Sequence, residues 1–138
     1  MLRAISEVKW DDNVVFIPYW RKQTGIEVKA SVSPVVASGW QCGQGSLLVM
    51  VFNDSDQAAK GEVKVDFARF GFKSGEIKCR DYGNAGLAYP DALFAWQVKA
   101  HTGVDPQKLP VQDTVLQSGA AVPVELGRHS FKLLRFYQ

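Results

Sequence analysis

"SLLVMVFNDSDQAAKGEVKVDF", residues 46–67, carries two hydrophobic rhythms on either side of a turn. The opening "SLLVMVFN" is apolar at both parities, the pattern of a central strand covered on both faces. "NDSDQAAKG" breaks it with residues whose side chains fold the backbone into turns through local hydrogen bonds. "GEVKVDF" then alternates, with Val63, Val65 and Phe67 inward and the charged side chains outward, the period of a half-wet strand.

The same signals recur on both sides of this stretch. Upstream, "GIEVKASVS" alternates cleanly: Ile26, Val28, Ala30 and Val32 face one way, Glu27, Lys29 and Ser31 the other. "NVVFIPY" is rich in β-branched and aromatic residues, and Pro18 near its end suits an edge strand or a bulge. "SGWQCGQG" holds three glycines and predicts a turn or an irregular crossing. Downstream, "ARFGFKSG" connects to a short strand "EIKCRDY". "AAVPVEL" and "HSFKLLRFY" close the chain, with Gly127-Arg128 as a hairpin corner between them. In the last strand Phe131, Leu133 and Arg135 share one face, and Leu134 and Phe136 the other.

About seven to eight short strands with no clear helix beside them predict an all-β fold, an antiparallel β-sandwich. Strand counting leaves a closed barrel open as the alternative. The stretch 84–119 is too long for a simple connection and is expected to be an irregular insertion. Within it, Asp91 could cap a short helix from Ala92 to His101 stopped by Gly103, or Phe94, Trp96 and Val98 could line a strand. Both readings stay open.

With 138 residues, 46% hydrophobic and 22% charged, the chain is read as one soluble domain. A net charge of +2 with interspersed signs offers no basic block for a phosphate backbone or an anionic surface, so neither nucleic acid nor membrane is an expected partner. The longest apolar run, "LLVMVF", is too short to span a bilayer, and "MLRAISEVKWDDN" lacks the apolar core of a signal peptide. A cytosolic protein and a piece of a longer chain both fit, which leaves localisation open. Cys42 and Cys79 match no metal or redox spacing; buried free thiols are the favoured reading, with a pairing of the two left open.

No residue pattern assembles a catalytic centre. His101 and His129 have no partnered ligand motif, and each is read as a surface or turn histidine. Asp11-Asp12 is the nearest carboxylate pair, but neighbouring residues on a strand face opposite ways and on a turn they cap or solvate. The glycines of "GWQCGQG" follow no strand-then-helix pattern that would cradle phosphate. No catalytic residue, metal or cofactor is expected. The aromatics Trp10, Tyr19, Trp20, Trp40 and Trp96 remain, as core, interface or sugar-stacking residues. Trp40, in the glycine-rich stretch, and Trp96, in the insertion, are the candidate sugar platforms.

The order of "SLLVMVFNDSDQAAKGEVKVDFARFGF", "EIKCRDYGNA" and "AAVPVELGRHSFKLLRFYQ" resembles the C-terminal β-sandwich that follows the catalytic barrel in many glycoside hydrolases and α-galactosidase-like proteins. "FIPYWR", preceded by "WDDNVV", is similar to the segment leading from barrel to sandwich in uncharacterised glycoside-hydrolase-like proteins. The resemblance covers most of residues 10–83 and 118–138 and rests on strand patterns rather than catalytic signatures. The stretch 84–119 departs from the family, whose connection there is short. What the resemblance implies is a non-catalytic accessory domain, the C-terminal part of a larger protein, packed against the barrel of the same parent chain. The family's acid and nucleophile belong to that barrel, so no catalytic residue carries over. Phe16, Tyr19 and Trp20 would then pack the sandwich on its neighbour. A stand-alone carbohydrate-binding module and a protein-interaction sandwich are the alternative functions.

Overall fold

A computed structural model of the chain describes residue 4 and residues 7–83, 112–117 and 119–138. These form nine strands: β1 (Val15–Ile17), β2 (Ile26–Ala30), β3 (Val35–Gln41), β4 (Ser46–Asn53), β5 (Ala59–Val65), β6 (Ile77–Gly83), β7 (Gln112–Leu116), β8 (Val122–Leu126) and β9 (Ser130–Tyr137). The larger sheet runs β1-β3-β4-β9-β6-β7 and the smaller runs β2-β5-β8. Every pairing is antiparallel. The fold is therefore the expected all-β sandwich.

Alternation builds the core. Leu47, Val49 and Val51 of β4 and Leu134 and Phe136 of β9 point from the larger sheet onto Val63 and Val65 of β5 and Val124 and Leu126 of β8. Each such side chain contributes about 1.5–3 kcal/mol by leaving water. Phe67 and Phe70, on a single-turn 3-10 helix Phe67–Phe70, plug one end; the Asp66 carboxylate accepts from Arg69 N and Gly71 turns out at φ 76. Phe67 meets Phe72 and Phe136 edge to face.

The outer faces of the two sheets differ in kind. On the smaller sheet Glu27 lies opposite Lys64, Lys29 opposite Glu62 and Lys60 opposite Glu125, a solvated lattice of opposite charges. On the larger sheet the middle of the outer face is apolar: Leu48, Tyr82 and Leu133 form a second buried cluster with Ala4, flanked by Trp40, Met50 and Phe131.

Three expectations need correction. "SGWQ" is not a turn: it is the second half of β3, and the turn is confined to residues 42–45, where Cys42 N donates to Ser46 O. Gly39 is there because a Cβ would sit 2.5 Å from Ile26 Cδ1 of the opposing sheet. The stretch 84–119 is not wholly irregular, since Gln112–Leu116 is β7, paired with β6. As an edge strand with Asp113, Thr114 and Val115 all exposed, β7 shows almost no hydrophobic rhythm. Finally, Gly127-Arg128 is no hairpin corner, because β8 and β9 belong to different sheets. Their apolar residues face the same core from opposite sides, so the connection must cross between layers. Asp91 and the helix or strand considered for Ala92–His101 lie outside the described residues.

Candidate functional site

The edge strand β1 decides where the aromatics meet. Pairing with β3 places Phe16 directly opposite Trp40, on one face of the sheet. Their rings stack at 5.3 Å and 30°. Ile17 turns the other way into the core. Pro18 has no N–H to continue the ladder, and the chain leaves β3 there. Tyr19 N then bonds the Ser38 hydroxyl at 3.1 Å, and Arg21 N closes a turn on Pro18 O.

That turn carries Tyr19 and Trp20 out beside the Phe16–Trp40 stack. Trp20 meets Phe16 edge-on at 6.0 Å and Tyr19 at 5.1 Å. Trp10, from the segment before β1, also reaches Trp40, at 6.4 Å. The result is a continuous ledge of five rings. Trp20 is 67% exposed and Tyr19 54%, large values for side chains of this size. Of the residues singled out from sequence, Phe16, Tyr19, Trp20 and Trp40 converge. Trp40 sits on a strand rather than a loop, half-buried, with Phe16 against its ring. Trp96 lies outside the described residues.

At the other end of the same face lies a charged cluster with no counterpart in the sequence motifs. Arg80 forks onto Asp113, Nε to Oδ1 at 2.8 Å and Nη2 to Oδ2 at 2.7 Å. The Glu7 carboxylate accepts from Arg80 Nη1 at 3.0 Å and from the Tyr82 hydroxyl. Arg135 lies over the Tyr137 ring at 4.5 Å. Hydrogen bonding from Arg80 holds the Asp113 carboxyl below its ordinary range, while the bonds Arg80 donates to Asp113, and secondarily to Glu7, raise its own pKa. Burial, then the bond to Glu7, pushes the Tyr82 phenol up. The available signal was weak: a cation on the otherwise apolar side of "FKLLRF".

The remaining candidates are dispersed. Asp11 closes a local turn, accepting from Asn13 N, a bond that with the nearby Lys9 ammonium lowers its pKa. His129 stands at the crossover before β9, 2.9 Å from Asp56. His101 is outside the described residues. Cys42 and Cys79 are free and buried, and burial lifts the Cys79 thiol to about 12. Among the described residues no three His, Cys, Asp or Glu side chains group as metal ligands. A groove of about 480 Å³ beside Glu27, Lys64, Asp66 and Arg69 is open to solvent, and none of the five ledge rings lines it.

The arrangement defines a two-sheet β-sandwich whose larger sheet carries an aromatic ledge and a charged cluster on its outer face. Comparison with family models, curated proteins and solved structures returns no match to this chain.

Proposed function

We propose that this chain is a non-catalytic accessory β-sandwich of a glycoside-hydrolase-like, carbohydrate-active enzyme, and that it docks on the catalytic barrel of its parent protein through the aromatic ledge. The observation that supports this is the contrast between the outer faces. The smaller sheet presents paired charges that are stable in water, whereas the larger presents Trp10, Phe16, Tyr19 and Trp20 exposed together. Aromatic clusters with polar rims are the usual anchors of protein interfaces. "FIPYWR" also has the position that the family resemblance assigns to the junction with the barrel.

The test is a Tyr19→Ala/Trp20→Ala variant in the full parent protein, followed by calorimetry. Docking predicts that one cooperative transition separates into two. In the isolated chain the same variant should shift stability by no more than about 0.5 kcal/mol, as for exposed positions generally. An unchanged single transition in the parent overturns the reading.

A further inference from the structure

Arg80 of β6 and Arg135 of β9 are direct cross-strand partners. Like charges directly opposite on a sheet repel, and both side chains are mostly withdrawn from solvent. The sheet itself supplies Asp113, and Asp113 is taken by Arg80. Arg135 finds its counter-charge elsewhere: Glu7 Oε2 lies 3.6 Å from Arg135 Nη1 while also holding Arg80 Nη1 at 3.0 Å. Glu7 belongs to no strand. It lies in the segment before β1, three residues ahead of Trp10, whose ring rests against Trp40. Ala4 ahead of it is fully buried among Leu48, Tyr82 and Leu133.

We propose that Glu7–Trp10 is a strap fastened across the outer face of the larger sheet, with Glu7 as its lock. The lock neutralises an arginine pair that the sheet cannot neutralise alone, and by fixing the strap it positions Trp10 in the ledge. Releasing Glu7 frees Trp10 from Trp40 and opens the Leu48–Tyr82–Leu133 cluster. This holds whatever docks on the ledge, so its test needs no partner.

Amide hydrogen exchange on the whole chain reads the strap directly. Glu7→Ala should speed exchange across residues 7–10 at least tenfold, leave peptides from β4 and β5 unchanged, and make the bond after Lys9 cleavable by trypsin. Glu7→Gln, which keeps a hydrogen bond to Tyr82 without the charge, should fall between. A Glu7→Ala/Arg135→Met variant leaves no unpaired guanidinium on β9 and should fold with the strap released, which covers the case in which Glu7→Ala alone fails to fold. Wild-type exchange at residues 7–10 in the double variant overturns the proposal. So does acceleration in Glu7→Ala shared equally by β4 and β5, since Glu7 would then merely stabilise the fold.

Discussion

Asn53, at the end of β4, is fully buried and uses its whole amide. Its Nδ2 donates to Gln57 O at 2.7 Å and to Gly127 O at 2.8 Å, and its Oδ1 accepts from Ser55 N and the Ser55 hydroxyl. One side chain therefore ties the β4–β5 turn to the β8–β9 crossover. Asn53→Ala leaves the Ser55 amide without its acceptor, while Gln57 O and Gly127 O keep the Ser55 and Ser130 hydroxyls, and should cost about 1–3 kcal/mol, read as a lower urea midpoint at unchanged slope. A loss below about 0.5 kcal/mol would mean that water replaces the amide. The turn was legible, because "NDSDQ" is made of turn-forming residues. The tether to Gly127 was not, since nothing local announces a partner 74 residues away.

Strands were legible where burial followed a period. β4, β5 and β9 are apolar at the parities their faces require, and of the edge strand and the bulge that Pro18 suggested, β1 is an edge strand. β3 was hidden because Gly39 looks like a turn residue when its reason is a neighbour in the other sheet. That reason is testable. Gly39→Ala places a methyl against Ile26 Cδ1 and should destabilise by about 1–3 kcal/mol. Ile26→Val deletes that Cδ1 and alone should cost about 0.5–1.5 kcal/mol. Because the clash is gone, the double variant should cost less than the sum, with a coupling of about 1 kcal/mol measured by denaturant unfolding. Additive losses would place the defect of Gly39→Ala in the strand backbone rather than between the sheets. β7 was hidden for the opposite reason: an edge strand with Asp113, Thr114 and Val115 exposed in succession has too little pattern to read.

At the scale of the molecule the two outer faces impose different behaviour. Cross-strand pairs such as Lys29 and Glu62 are satisfied in water, so the smaller sheet has no drive to associate. The ledge has one, because its rings keep apolar area in contact with solvent. The composition of "FIPYWR" was legible as a candidate surface, but the ledge itself depends on the β1–β3 register that brings Trp40 opposite Phe16, and on a strap held by Glu7. A chain displaying this surface without its partner should self-associate weakly through it. Sedimentation velocity of the isolated chain should show an apparent mass that rises with concentration, and Tyr19→Ala/Trp20→Ala should flatten that rise. Exchanging the charges of Lys29 and Glu62 should leave it unchanged, because the exchange preserves the pairing on a face that takes no part. If the aromatic variant associates as strongly as the wild type, the adhesive area lies elsewhere on the larger sheet, and the ledge loses its claim to be the docking surface.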